Sequence, residues 1–115
     1  MKDVGKKGED LAVALCRERG FTIIEQNFRT PFGEIDIIAK DGNIFVFIEV
    51  KARTGDTYGA PFEAVTRRKR DKISKVAMSY LKRFRKEVPA RFDVISISMK
   101  SGMPDLEYIQ DAFEV

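Results

Sequence analysis

Apolar residues recur at three- and four-residue spacing between residues 6 and 19, at Leu11, Ala12, Leu15 and Cys16. That is the period of one helix face, and it predicts a first helix. Gly20 follows, and glycine commonly sits just past a helix end. Phe21 to Arg29 is rich in aromatic and β-branched residues and predicts a strand. Thr30-Pro31-Phe32-Gly33 predicts a turn. Glu34 to Lys40 and Ile44 to Arg53 predict two more strands around Asp41-Gly42, a strong hairpin signal. Thr54 to Pro61 carries Gly55, Gly59 and Pro61 and predicts a loop. A second helix follows, with Thr66 as its N-cap and Ile73, Val76, Ala77, Tyr80, Leu81 and Phe84 as its apolar stripe. Pro89 is expected to stop it. Arg91 to Met99 predicts a fourth strand, and Leu106 to Phe113 a fifth. The order α-β-β-β-α-β predicts an α/β fold with a central mixed sheet flanked by helices. With 115 residues and no repeat or long linker, residues 1–115 form one domain.

Composition narrows the chemistry. There is no histidine, which removes Ser-His-Asp and Cys-His catalysis and histidine-ligated zinc. Cys16 is the one cysteine, which removes an internal disulfide and fits a reducing, cytoplasmic setting. The longest apolar run, Leu11 to Cys16, is far short of the roughly 20 residues of a membrane helix, so no membrane is expected as a partner. Net charge is +3, but it is segregated. Between Thr66 and Glu87 there are ten basic and two acidic residues, a local +8 that leaves the rest of the chain at −5. A basic element on an acidic body points to a phosphate-rich partner; a solvated helix face is the plainer reading.

The acids stand out against this background. In the strand Ile44–Arg53, Phe45, Phe47, Glu49, Lys51 and Arg53 alternate onto one face. Both faces start apolar, so the strand is expected to be central, with Glu49 at the edge of the buried region. A two-residue loop at Asp41-Gly42 pairs Lys40 with Asn43. It then sets Asp36 opposite Phe47 and Glu34 opposite Glu49. Directly opposed residues share a face, so Asp36, Glu34, Glu49 and Lys51 project together. Glu9 lies three, four and seven residues before Ala12, Val13 and Cys16, on the inward side of the first helix. Other readings remain: Lys51 and Arg53 can form cross-strand ion pairs with Glu34 and Glu49, the acids can sit at a wet strand end, and Glu9 can serve the helix dipole.

Three acids and a lysine from three elements suit metal-assisted hydrolysis of a phosphodiester. Asp36 and Glu49 would hold Mg2+ or Mn2+, Glu9 would complete the metal's water shell or help hold a second ion, and Lys51 would orient water or stabilise the transition state.

Asp36, twelve intervening residues, then Glu49-Val50-Lys51 resembles the Asp and Glu-x-Lys signature of the PD-(D/E)xK nuclease superfamily. Ile35 stands where that superfamily often has proline. More closely, Gly8-Glu9, Asn27-Phe28-Arg29, Gly33-Glu34-Ile35-Asp36-Ile37-Ile38-Ala39, Phe47-Ile48-Glu49-Val50-Lys51-Ala52-Arg53, Gly59, Ala64-Val65-Thr66, Lys69 and Arg91-Phe92-Asp93-Val94 resemble the bacterial YraN-like family. That family is regarded as an inferred endonuclease group, distantly similar to archaeal Holliday junction resolvases. The resemblance implies a restriction-endonuclease-like fold. It places metal-binding acids at Asp36 and Glu49, the catalytic lysine at Lys51 and a helix acid at Glu9. It also implies a metal-dependent endonuclease acting on DNA, with branched or junction DNA as a substrate and a homodimer as the working form. No small-molecule cofactor is expected.

Arg67, Arg70, Lys75 and Lys82 lie off the apolar stripe and are candidates for phosphate contacts. Lys69 joins Arg67 and Arg68 near the helix start, where the dipole favours phosphate. Arg29, Arg53 and the loop with Tyr58 and Gly59 are further candidates. Such contacts give affinity without sequence reading. A non-catalytic nucleic-acid-binding module on the same fold is the alternative function, and a structural protein docking on an acidic partner is a third.

Overall fold

A computed structural model describes residues 5–54, 67–100 and 102–113. The first helix, α1, runs Gly5–Glu18. Gly20 ends it with φ +85°, while the Phe21 amide bonds back to the Cys16 carbonyl and the Gly20 amide to that of Arg17. This paired closure satisfies the last helical carbonyls and needs a left-handed residue, which glycine takes without steric cost. Then come β1 (Thr22–Thr30), β2 (Gly33–Asp41), β3 (Ile44–Thr54), α2 (Arg67–Leu81), β4 (Ala90–Lys100) and β5 (Met103–Phe113).

The five strands form one mixed sheet in the order β1-β2-β3-β4-β5. Only β3 and β4 run parallel, joined across α2; the other neighbours are antiparallel. Each helix covers one face. Ala12, Val13 and Cys16 of α1 pack on Ile37, Ala39, Val46, Ile48, Val50, Ile95 and Ile97. Ile73, Val76, Ala77 and Tyr80 of α2 pack on Ile38, Phe45, Phe47, Phe92 and Val94. Strand β3 is buried on both faces from Phe45 to Val50, as its doubly apolar start implied. Among the described residues no helix is long and apolar enough to cross a membrane.

Three expectations shift. The hairpin loop is Gly42-Asn43, closed by Asp41 paired with Ile44, not Asp41-Gly42. Gly42 has φ +60° as the first central residue, the position where a type II′ turn wants glycine. Moving the loop by one residue slides the register by two, which preserves which side chains share a face. Secondly, α2 ends at Leu81, well before Pro89. The chain leaves it through tight turns, and Phe84 continues the apolar stripe by stacking near Phe45 and Tyr80. Pro89 instead opens the parallel ladder, its carbonyl accepting from the Phe45 amide at 2.9 Å. Thirdly, β5 begins at Met103, not Leu106. The expected Thr66 cap and the loop with Tyr58 and Gly59 lie outside the described residues.

A buried ionic network on the α1 face was not foreseen. Arg91 donates from Nε to both Asp93 oxygens and from Nη1 to Asp41 at 3.0 Å. Asp93, fully buried, also accepts from the Tyr108 hydroxyl and from the Asp111 amide. Asp111 adopts φ +51° where the β4–β5 register shifts, and this conformation aims its amide at the carboxylate. Burial works against the Arg91 charge, but hydrogen bonds to Asp41 and Asp93 outweigh it and hold the guanidinium protonated. Burial, then the Asp93 hydrogen bond and charge, push Tyr108 far above the usual phenol range. Burial and the Asp93 charge push the Cys16 thiol up to about 11.

Cys16 and Tyr108 both keep protons in the folded state that the unfolded chain gives up, Cys16 from its ordinary value of 9.0. Their stabilising contribution is therefore complete below pH 9 and is lost as pH rises. Urea midpoints are expected to hold steady from pH 7 to 9. They should then fall by the equivalent of roughly 2–3 kcal/mol by pH 11 from Cys16. In Cys16→Ala the onset should move up by about one pH unit, to the range where unfolded tyrosine ionises. A midpoint that stays flat through pH 11 contradicts this account.

Candidate metal and active site

The sheet forks at its centre. The β2–β3 ladder ends at Ile37 paired with Ile48. Beyond it β3 continues from Glu49 to Thr54 beside β4 alone, while β2 continues toward Gly33 beside β1 alone. Alternation along β2 breaks at the same level: Ile35 joins the core under α2, and Ile37 the core under α1. Between them lies Asp36, 2% exposed. Its Oδ2 accepts the Val50 amide at 2.7 Å, taking over from the backbone where the strands part. A hydrogen bond to a charged acceptor contributes about 1.5–3 kcal/mol, and a buried amide left bare would cost a similar amount.

This bond seats the Asp36 carboxylate against the backbone next to Glu49, which is 3% exposed. Glu49 lies on the α2 side of β3. There Lys69 of α2, 31% exposed, brings its Nζ to 2.9 Å from Oε2. Lys51, half-buried, follows Glu49 by two and shares its face by alternation. Directly opposite the expected pairing, Phe47 meets Ile38 rather than Asp36, and Glu34 faces Arg29 across β1–β2, not Glu49. The two-residue slide leaves Asp36 and Glu49 as the first residues beyond the end of the ladder, where Asp36 takes the Val50 amide.

Glu9 approaches from α1, on the other side of the sheet. Asn27 Nδ2 donates to its Oε2 at 3.3 Å. Asn27 lies in β1 between Gln26, paired with Ile37, and Phe28, paired with Ile35, and so sits beside Asp36. Its φ of +53° is a left-handed kink inside a strand, which asparagine tolerates better than most residues. Glu9 thus reaches the fork through Asn27. Among the described residues, no three Cys, Asp or Glu side chains close around one point. A cation here would take Asp36 and Glu49 directly, with Glu9 acting at one remove. That donor set suits Mg2+ or Mn2+: both are hard, oxygen-seeking ions, and Mg2+ commonly takes one or two carboxylates and keeps several waters.

The basic residues divide. Arg67 is exposed at the start of α2. Lys75 is exposed, with Nζ 5.8 Å from the Phe32 ring. Arg29 is mostly exposed but commits Nε to Glu34. Two candidates sit elsewhere than expected. Lys69 turns inward to Glu49, and Arg70 lies over the Phe113 ring at 5.6 Å. The Arg53 side chain lies outside the described residues. Asn27 is the site residue that spacing did not reveal, and Lys69, expected to contact phosphate, is seated on Glu49 instead. The signals were an asparagine within a β-branched run, and a lysine one turn inside a helix whose start faces a buried acid.

Fold and site together define a class: among the described residues, a two-helix α/β protein whose five-stranded mixed sheet forks around a buried carboxylate pair, with Lys69 on one of the acids. Within that class the chain belongs to the family described as uncharacterised protein family UPF0102, whose model matches residues 8–97. It is 50% identical over 111 residues to a UPF0102 protein of Thermodesulfovibrio yellowstonii, covering 96% of each chain. It is 49% identical over 115 residues to one of Geobacter metallireducens, covering 99% of this chain and 94% of the relative. A Syntrophus aciditrophicus relative is 49% identical over 112 residues, covering 96% of this chain and 88% of its own.

Lys69→Met removes the ammonium beside a carboxylate that is almost wholly buried. The expected loss in urea unfolding is about 1–3 kcal/mol, more than the 0–1 kcal/mol of an exposed ion pair, because Glu49 cannot fall back on water. A loss within the exposed range would show that Lys69 does not balance Glu49.

Proposed function

We propose that the protein is a metal-dependent endonuclease of the PD-(D/E)xK kind that hydrolyses phosphodiester bonds of DNA. The observation that carries this reading is the pair Asp36 and Glu49, buried at the fork with Lys51 on the same strand. Burying two carboxylates side by side is costly. Their placement supports a site that receives positive charge and a phosphate.

Asp36 and Glu49 hold Mg2+ or Mn2+ in this reading. A cation bound there neutralises phosphate charge and makes an attacking water more acidic. The Val50 amide fixes the Asp36 carboxylate so that it need not reorganise during reaction. Lys51 orients the attacking water and donates to a non-bridging oxygen as charge builds on the phosphoryl group. Glu9, held by Asn27, accepts hydrogen bonds from water at the site. The water oxygen bonds to phosphorus, one P–O ester bond breaks, and the departing oxygen takes a proton. The products are a phosphate monoester and an alcohol. Arg67 and Lys75 on the exposed side of α2 hold the backbone without reading bases. Branched or junction DNA, cut by two copies of the chain, is the substrate that the family resemblance suggests.

One observation favours the non-catalytic binding module: Lys69 already supplies Glu49 with a cation of the protein's own. Cleavage separates the two. Junction, flap, linear duplex and single-stranded DNA are incubated with purified protein and Mn2+. Wild type is expected to cut at least one of them. Lys51→Ala and Asp36→Asn should lower the rate by about 100-fold or more. Equal cleavage by wild type and Lys51→Ala would mean a contaminating nuclease. Binding without cleavage would leave the module.

A further inference from the structure

Phe32 is the most chemically unexplained side chain on the surface around α2. It is 51% exposed at the tip of the turn between β1 and β2. The turn is well fixed. The Phe32 amide donates to Thr30 Oγ1 at 3.1 Å. Gly33, at φ +149°, lies so close to α2 that a side chain there would meet Val76 Cγ2 at 3.8 Å and Lys72 Cβ at 3.9 Å. The ring stands half exposed beside the helix. Its surroundings are cationic: Lys75 Nζ is 5.8 Å from the ring centroid, Lys72 is one turn away, and Arg29 is on the same hairpin. A lone exposed apolar residue is ordinary. An exposed aromatic beside the lysine-bearing face of α2 matches the way proteins hold unpaired strands, with bases stacked on rings and phosphates on lysines.

We propose that Phe32 is a stacking platform for a nucleobase of an unpaired DNA strand whose phosphates lie along Lys72 and Lys75. This rests on the nuclease reading and narrows its substrate class. Phe32 and Asp36 are four residues apart along the β1–β2 turn and β2, roughly 13 Å at strand rise. That spans about four stacked nucleotides at roughly 3.4 Å each. A paired base is already stacked on both sides and cannot offer its face to Phe32. The platform therefore favours substrates with unpaired nucleotides a few positions from the cut, such as flaps, gaps and opened junctions.

The test is fluorescence anisotropy without divalent metal, using a labelled single strand, a flap and a blunt duplex. Phe32→Ala and Phe32→Leu are expected to weaken binding of the single strand and flap by about 10-fold and to leave duplex binding within twofold. Phe32→Tyr should keep wild-type affinity, because it keeps the ring. Lys75→Ala should weaken all three substrates. Equal effects of Phe32→Ala on duplex and single strand, no effect on either, or a leucine variant as good as phenylalanine would each overturn the stacking role and leave the nuclease reading standing. A wild-type protein that binds none of the three and, with Mn2+, cuts none of them would overturn both.

Discussion

The hydrogen bond from the Val50 amide to Asp36 Oδ2 is the constraint on which the site depends. A sheet interior demands a partner for every amide. Where β2 turns away from β3, the next backbone carbonyl is lost, and a side-chain carboxylate takes its place. One interaction thus solves a folding problem and aims a functional group. It lets the strands part without a bare amide, and it holds Asp36 beside Glu49 at the mouth of the opening. Asn27 makes the matching adjustment on β1, kinking beside Asp36 and catching Glu9 from the helix on the far face.

Charge is balanced differently on the two faces of the sheet. The Arg91–Asp93 network is closed: its carboxylate is surrounded by the guanidinium, the Tyr108 hydroxyl and the Asp111 amide. Such a network fixes the packing of β4, β5 and α1, and a buried pair of this kind is strongly destabilised by losing one member. At the fork Glu49 meets Lys69 on its flexible stem, with Lys51 two residues along the same strand, beside a helix dense with cations. Lysine is a mobile point charge that gives way to another cation more easily than a bidentate arginine does. The same residue types therefore build a closed network in one place and a carboxylate–lysine pair in the other, which on the proposed reading can exchange its cation.

Much of this was legible in the chain. The helical stripe of Ile73, Val76, Ala77 and Tyr80, the doubly apolar β3 and the element order all follow from periodicity, because burial is what periodicity records. The slide of two residues conserves faces within the ladder from Ile37 to Ile48, whereas Asp36 lies just beyond it at the break in alternation. What stayed hidden depends on contacts distant in sequence. Lys69 reaches Glu49 across a crossover, Tyr108 and Arg91 meet at Asp93 from different strands, and the break in alternation at Asp36 has no counterpart in the hydrophobic pattern of Ile35, Ile37 and Ile38. Phe84 shows the converse: its place in the stripe was correct although the helix had already ended.

The central claim is that the fork gathers two carboxylates to receive a cation. Crystals grown with Mn2+ and measured for anomalous scattering test it most directly. A peak between the carboxylates of Asp36 and Glu49, lost in Asp36→Asn, is the result this account requires. Data in which manganese binds elsewhere or not at all, with Lys69 still seated on Glu49, would contradict it.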